Sequence, residues 1–193
     1  MPAERILVIN GHPDPAPERL CAGLCAAYAE AAFRAGRTVR RIDIGKLSFP
    51  LVRSAADFEE GPAPPDIVAA QRDIAWADHL VIVHPLWLGG APALLKGFLE
   101  QAFRYGFALP RPGQDGPMAG LLGGRSGRLI VTMGMPAPVY RFWFGAFGVR
   151  AVQRSILGLA GIGPVRASLI GSVGNGRRRR WTELARRLGA KGR

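Results

Sequence analysis

One loop of the chain combines residue types that can hold a flat, heteroaromatic molecule. The segment 80–83, Leu-Val-Ile-Val, is an apolar run typical of a strand buried on both faces. We expect this strand to end at His84 and Pro85, because proline has no amide hydrogen for the next bond of a sheet. Residues with aromatic or aliphatic surface and flexible backbone follow, namely Pro85, Leu86, Trp87, Leu88 and Gly89. Open α/β sheets hold ligands at such strand ends, so the loop predicts a binding edge.

A phosphate site is predicted after the first strand. The segment 11–19 is crowded with glycine and proline and opens into a helix near Leu20. A loop of this kind leaves backbone amides free at the positive end of the helix dipole, which favours a bound phosphate. Arg19 adds a cation there, whereas Glu18 is expected to stabilise the helix start rather than to act as a catalytic base.

A third loop follows the apolar segment 128–132, and its Gly134 allows a ligand to approach the backbone closely. The carboxyl ends of parallel strands meet at one edge, so the loops 11–19, 85–91 and 133–140 are expected to converge on one crevice. Amides and a cation for phosphate, with flat apolar surface for a ring, describe an FMN or FAD site better than a nicotinamide site. No Gly-x-Gly-x-x-Gly follows the first strand, which disfavours a Rossmann dehydrogenase.

The elements that must position these loops alternate along the chain. Strands are predicted at 5–10, 38–44, 80–83, 128–132 and 165–170, and helices at 20–36, 66–76, 92–103 and 181–188. Asp66 is the expected N-cap of the second helix, and Pro92 is expected in the first turn of the third. This alternation predicts an α/β fold with a doubly wound, five-stranded parallel sheet and right-handed crossovers.

The central loop also carries a family resemblance. The segment 84–98, His-Pro-Leu-Trp-Leu-Gly-Gly-Ala-Pro-Ala-Leu-Leu-Lys-Gly-Phe, resembles the signature of the flavodoxin-like NAD(P)H quinone oxidoreductases. The resemblance extends from Ile6 to about Ser172. It implies a flavodoxin-like sheet with helices on both faces and a Pro-Leu-Trp loop along the ring of a bound flavin. The alternative interpretation is an ordinary buried strand, turn and helix in which Trp87 fills the core.

The resemblance implies cofactor contacts in all three loops. Thr132, Gly134 and Tyr140 match a Thr-x-Gly loop followed by a tyrosine eight residues after the threonine. The cofactor-binding residues expected on this basis are His12, Arg19, Leu20, Cys21, Pro85, Leu86, Trp87, Leu88, Gly89, Thr132, Met133, Gly134 and Tyr140. Tyr140 is also the one side chain expected to take part in catalysis, as a hydrogen-bond donor that orients the ligand.

The sequence departs from the family pattern at several positions. Glu18, Arg19 and Cys21 stand where the family has hydroxyl or amide side chains near the phosphates, which leaves the backbone amides as the expected contacts. Ala146 stands where some members have a histidine, so no imidazole can relay a proton from Tyr140. His12 matches the family, although a turn residue with a satisfied imidazole is an equal alternative.

The resemblance implies a flavin-dependent oxidoreductase that works by ping-pong hydride transfer. NAD(P)H would reduce bound FAD or FMN and leave before a quinone-like acceptor enters, and the protein would position the cofactor and stabilise its reduced form. Two alternatives keep the fold: an azo- or nitro-reductase, and an ancillary subunit that regulates a membrane transporter. A more remote alternative is a nucleic-acid binder that uses the arginine-rich carboxyl terminus.

Composition limits the remaining classes. A chain of 193 residues with 48% hydrophobic residues fits one domain, with 1–175 as the flavin-binding part and 176–193 as a basic helix or tail of the same domain. Cys21 and Cys25 predict a reduced, cytoplasmic protein, and the three histidines show no metal-ligand spacing. No segment has the length of a transmembrane helix or the features of a signal peptide.

Two surface features predict partners, or their absence. The net charge of +12 is concentrated partly in Arg177–Arg180 and Arg186–Arg187, which we interpret as a solvated, solubilising surface rather than as a specific nucleic-acid site. The segment 141–159 is richer in aromatic residues than one helix face can bury. We therefore expect a homodimer, in line with the family's use of a partner subunit to complete its site.

Overall fold

The computed structural model describes residues 4–111, 120–174 and 176–192. Its five strands are β1 (Arg5–Asn10), β2 (Thr38–Asp43), β3 (His79–Pro85), β4 (Ser126–Thr132) and β5 (Val165–Ile170). They form one sheet in the order β2-β1-β3-β4-β5, and every neighbouring pair is parallel. The predicted α/β fold with a doubly wound five-stranded sheet is confirmed.

Within the described ranges, six α-helices connect and flank the strands. They are α1 (Leu20–Arg34), α2 (Ala55–Glu59), α3 (Pro65–Trp76), α4 (Ala93–Ala102), α5 (Phe147–Arg150) and α6 (Arg178–Lys191). A 3₁₀ turn spans Ile44–Lys46, and π-helical turns span Val139–Trp143 and Ala151–Gly158. Among the described residues, no helix has the length and apolar character needed to span a membrane.

The side chains of the inner strands alternate between two apolar cores. Leu7 and Ile82 face the layer that contains α3 and α4. Val8 and Val83 face the layer that contains α1 and α6. Because both faces of the central strands are covered, their sequences are apolar almost without interruption. β2 lies at an edge of the sheet and is largely exposed, as its alternating sequence predicts.

Several predicted element ends are wrong, among them the end of β3 and the starts of α3 and α4. β3 continues through His84 and Pro85, because the next amide, that of Leu86, donates to the Thr132 carbonyl at 2.7 Å and keeps the ladder to β4 in register. The N-cap of α3 is Pro64 rather than Asp66, whose carboxylate instead accepts from the Ser48 amide at 2.7 Å. Pro92 is the N-cap of α4 and not a residue of its first turn.

The last helix is longer than the predicted segment 181–188. α6 includes the arginine run at its amino end and packs along α1, with Ala185 and Gly189 buried between the two helices. A Cβ on Gly189 would lie 2.2 Å from the Tyr28 carbonyl oxygen. The contact brings the two backbones together and fixes the path of the carboxyl terminus across the sheet.

Candidate functional site

The three predicted loops lie side by side. β1, β3 and β4 are consecutive in the sheet and parallel, so the residues that follow each of them leave at the same edge. The start of the first loop is set by Gly11, whose amide donates to the Val83 carbonyl at 2.7 Å. A Cβ there would lie 2.8 Å from the Leu95 Cδ2, so only glycine fits without displacement of a core side chain.

A chain of hydrogen bonds shapes the loop after β1. Asn10 donates to the Asp43 carboxylate at 2.9 Å and accepts from the His12 amide at 3.3 Å. The Asp14 amide donates to His12 Nδ1 at 3.0 Å, and the Ala16 amide donates to the Asp14 carboxylate at 2.9 Å. His12 therefore organises this turn through Nδ1, which places its proton on Nε2 when the ring is neutral.

Arg19, the predicted phosphate cation, is paired within its own loop. Its Nε and Nη2 atoms lie 2.6 and 2.5 Å from Asp14 Oδ2. The Ala16 amide and the Arg19 guanidinium hold the pKa of Asp14 below its usual value. Sequence reasoning did not identify Asp14 as the partner, although a carboxylate five residues before the arginine was the available signal.

Backbone amides remain available at the start of α1. The first intrahelical bond of this end is from the Gly23 amide to the Arg19 carbonyl, at 3.1 Å. The amides of Leu20, Cys21 and Ala22 precede it and have no acceptor within the helix. This amino terminus opens at the same edge as the Trp87 loop, and it carries the partial positive charge that a phosphate group requires.

The loop after β3 forms a tight hairpin that presents Trp87. The Trp87 and Gly90 backbones exchange two hydrogen bonds of 3.0 Å, and Leu88 and Gly89 adopt φ values of 47° and 81°. Trp87 is 49% exposed, and its ring meets the His12 ring edge-on with a centroid distance of 5.8 Å. The structure thus brings the first two loops together around an exposed indole and does not use Trp87 as core filler.

The loop after β4 combines buried side chains with open backbone. Thr132 and Met133 are buried, and Thr132 Oγ1 lies 3.6 Å from Cys21 Sγ. Burial raises the pKa of Cys21 to about 11. Gly134 is exposed, and no other atom lies within 4 Å of the position of its absent Cβ. Cys21, Thr132 and Met133 can therefore reach a ligand mainly through their backbones, and Gly134 leaves room for one.

Tyr140 lies behind the hairpin rather than in the open crevice. Its side chain is buried, and its hydroxyl donates to the Gly89 carbonyl at 3.0 Å. Burial raises the pKa of Tyr140. Ala146 occupies the αL region with φ 50°, and its amide donates to the Tyr140 carbonyl at 3.1 Å. The predicted contact between Tyr140 and a ligand stays a prediction, as do the other predicted ligand contacts.

The arrangement can hold an anionic group beside an aromatic ring. The amino terminus of α1 supplies the donors, and Trp87 supplies a flat face next to the open backbone at Gly134. Within the described residues, no three His, Cys, Asp or Glu side chains are grouped as a metal site would need. The groups at this edge are suited to binding and orienting a molecule that brings its own reactivity.

Comparison with known proteins places the chain in a family. A family model described as the flavodoxin-like fold matches residues 4–190. The chain belongs to this flavodoxin-like family.

Among solved structures, an NAD(P)H:quinone oxidoreductase from Methanothermobacter marburgensis superposes with a TM-score of 0.78 at 20% identity, covering 97% of this chain and 98% of that one. An FMN-dependent NADH-azoreductase from Bacillus anthracis superposes with a TM-score of 0.72 at 14% identity, covering 96% of each chain. Both likenesses confirm the fold.

Sequence relatives of this flavodoxin-like chain include named oxidoreductases. An NAD(P)H oxidoreductase of Haemophilus influenzae is 28% identical over 139 residues, which cover 68% of this chain and 66% of that protein. Human ribosyldihydronicotinamide dehydrogenase [quinone] is 26% identical over 158 residues, which cover 72% of this chain and 68% of that protein. The matches span about two thirds of the length of these curated relatives.

Proposed function

We propose that this protein is a flavin-dependent NAD(P)H oxidoreductase that passes hydride from NAD(P)H, through bound FMN or FAD, to a quinone-like acceptor. The observation that carries the proposal is the convergence of three loops at the ends of β1, β3 and β4. They offer helix amino-terminal amides, an exposed Trp87 and open backbone at Gly134 within one edge. The names of the sequence relatives support the same reaction class.

The residues present fit a flavin. The amides of Leu20 and Cys21, with His12 and Arg19 nearby, would hold its phosphate, and Leu86 and Trp87 would lie against its ring. The flavin supplies the two-electron chemistry when bound. Trp87 and Leu88 leave apolar surface open on the solvent side of the hairpin, where the nicotinamide donor and the acceptor would take turns. The protein thus binds and orients, and no side chain has to act as a nucleophile.

The backbone at Gly134 has an electrostatic role in this proposal. Backbone amides that are already oriented would stabilise negative charge on a bound ring without reorganisation. The exposed Gly134 segment is the described backbone that follows β4 at this edge. We propose that its amides, rather than a charged side chain, favour the reduced form.

The acceptor class is proposed as quinone-like, with azo compounds as the second candidate. The human relative is named for a quinone, whereas the Bacillus anthracis neighbour is named for azo reduction. An open, apolar site at Trp87 and Leu88 admits either class. Steady-state assays with a quinone and an azo dye, each with NADH and with NADPH, will rank the two acceptors and the two donors. A higher kcat/KM for the azo dye would replace the quinone in this proposal.

We also propose a homodimer in the cytoplasm. Phe142, Trp143 and Phe147 are 79%, 83% and 72% exposed. Gly148, next in the chain, lies against the hairpin that presents Trp87. A second copy would cover this surface and border the site. The free, buried thiols of Cys21 and Cys25 suit a reducing compartment. Sedimentation at micromolar concentration is expected to give a dimer, and Trp143→Ser is expected to shift it toward the monomer. A wild-type monomer with full reductase activity would contradict the dimer.

Flavin binding is the direct test of the function. Purified protein mixed with FMN or FAD and then desalted is expected to retain visible flavin absorbance. Trp87→Ala is expected to weaken flavin binding by roughly five- to hundredfold, because stacking on an aromatic side chain contributes about 1–3 kcal/mol. Phe33→Ala is the matched control, because Phe33 is also an exposed aromatic residue, 72% exposed, and lies near the opposite end of α1. A protein that retains neither flavin would overturn the proposal.

A further inference from the structure

The hairpin that presents Trp87 contains one strained position. Leu88 adopts φ 47°, a left-handed conformation that costs a non-glycine residue free energy, and its side chain is fully exposed. Conformations of this kind persist only where the surroundings determine them. Burial of Leu88 cannot compensate, so the conformation depends on the two Trp87–Gly90 hydrogen bonds and on support from outside the hairpin.

Two groups from the segment after β4 supply that support. The Tyr140 hydroxyl donates to the Gly89 carbonyl at 3.0 Å. Gly148 lies directly against the same turn, since a Cβ there would be 2.2 Å from the Gly89 oxygen and 2.7 Å from the Gly90 Cα. The tip of the hairpin is therefore held by one hydrogen bond and by one backbone contact that only glycine permits.

The phenol proton of Tyr140 is committed to the protein. A tyrosine hydroxyl has one proton to donate and two lone pairs that accept. The proton goes to the Gly89 carbonyl. Ala146 provides no further donor or acceptor at the side-chain level. In this arrangement Tyr140 does not offer its proton to a ligand, and the predicted role as a donor to the ligand has no proton to use.

We propose that Tyr140 is a positioning residue that fixes the Trp87–Gly90 hairpin in its flavin-binding shape through the Gly89 carbonyl, with Gly148 as the backbone surface on which the turn rests. The inference rests on the proposed function and replaces a direct hydrogen bond from Tyr140 to the ligand. The role of Tyr140 is to set the affinity for flavin and the orientation of the indole, and the hydride transfer itself does not need its hydroxyl.

The test compares Tyr140→Phe with Tyr28→Phe, which removes the hydroxyl of the other fully buried tyrosine, on α1. Tyr140→Phe is expected to raise the flavin dissociation constant roughly two- to tenfold, as the loss of one hydrogen bond predicts. The induced circular dichroism of the bound flavin, which reports the orientation of the neighbouring indole, is expected to change. At saturating flavin, the rate of flavin reduction by NAD(P)H is expected to stay within about twofold of wild type. Tyr28→Phe is expected to leave flavin affinity and dichroism unchanged.

A second variant makes the test independent of the tyrosine. Gly148→Ala keeps the Tyr140 hydroxyl but displaces the turn, and it is expected to weaken flavin binding and change the dichroism in the same way. Unchanged flavin affinity in Tyr140→Phe, with reduction slowed more than about tenfold at saturating flavin, would assign Tyr140 to direct contact and overturn the proposal. Equal weakening by Tyr28→Phe would also overturn it, as an effect of general stability. A wild-type protein that binds no flavin would overturn the proposed function itself.

Discussion

At the scale of single residues, Gly11 is a position where the absence of a side chain shapes the first loop of the candidate site. An alanine Cβ would lie 2.8 Å from the Leu95 Cδ2 and 3.0 Å from the His84 Cβ. Gly11→Ala is expected to lower the free energy of unfolding by about 1–3 kcal/mol, the usual result of overpacking a core. Urea denaturation checks this value.

Gly90→Ala is the matched control for that substitution. Apart from Gly90 itself and its two chain neighbours, no residue has an atom within 4 Å of the Cβ that alanine would add there. Its effect on the unfolding free energy is expected to be within about 0.5 kcal/mol, as for other surface substitutions. Equal losses for the two variants would show that the close approach at Gly11 is not the cause.

Residue types and spacing identified the loops of the site, but not the partners of their side chains. Trp87 and Gly134 could be singled out because their chemistry is local: an exposed indole and a glycine after a strand. The bond between Arg19 and Asp14 depends on how the loop folds back, and the bond between Tyr140 and Gly89 joins residues 51 positions apart. The spacing of Asp14 and Arg19 was a signal for the first bond, whereas no pattern within one segment gives the second.

At the scale of elements, buried strands were predictable and helix ends were less so. β1 and β5 have the predicted bounds because apolar runs flanked by turn residues mark a strand directly. Pro64 and Asp66 both fit the start of α3, and the choice depends on the Ser48 amide, which binds the Asp66 carboxylate. The π-helical turns of 139–158 were not predicted, because aromatic residues crowd this segment without a helical period.

The packing of α1 against α6 predicts opposite effects on stability for two glycine-to-alanine substitutions. Gly23 and Gly189 are both helical glycines, and alanine has the higher helix propensity by about 1 kcal/mol. A Cβ on Gly23 would lie 3.4 Å from Arg178 Nη2, an ordinary contact with a flexible side chain, whereas on Gly189 it would meet the Tyr28 backbone at 2.2 Å. Gly23→Ala is expected to stabilise the protein by up to about 1 kcal/mol, and Gly189→Ala to destabilise it by about 1–3 kcal/mol. Thermal unfolding of both variants measures the difference, and two shifts of the same sign would contradict the helix contact.

At the scale of the whole molecule, the alternation of strands and helices was enough to predict the sheet and the edge that carries the site. Right-handed crossovers allow few other arrangements of five parallel strands. Charge was less informative, because the arginines of α6 that carry part of the net charge of +12 are exposed, and such a face is compatible with solvent alone. The alternation of elements therefore predicted the class of the fold, whereas charge did not identify a partner. The proposed partner, a second copy of the chain, depends on the exposed aromatic surface at Phe142 and Trp143.

Two buried histidines make the stability of the whole fold sensitive to acid. His79, at the start of β3, has its pKa lowered to about 4 by burial and by the nearby cations Arg128 and Arg166. Burial also lowers the pKa of His84, at the other end of the strand. In the unfolded chain a histidine binds a proton near its usual value of about 6.5. Between that pH and about 4 the unfolded state therefore binds more protons, so the free energy of unfolding falls as the pH falls.

The expected contribution of His79 between about pH 7 and about pH 5 is about 2 kcal/mol, since each unit of pKa shift corresponds to about 1.4 kcal/mol. His79→Gln isolates it, because glutamine cannot be protonated and its amide can still bond the Ser126 hydroxyl, which lies 2.7 Å from His79 Nδ1. Urea denaturation at the two pH values is expected to give a smaller loss of stability for the variant than for wild type, with the remaining loss due to His84 and other groups. Equal losses of stability in the variant and in wild type would mean that His79 already binds a proton in the folded protein at the lower pH. The difference between variant and wild type thus reports whether the start of β3, where His79 lies, is as buried as the structure has it.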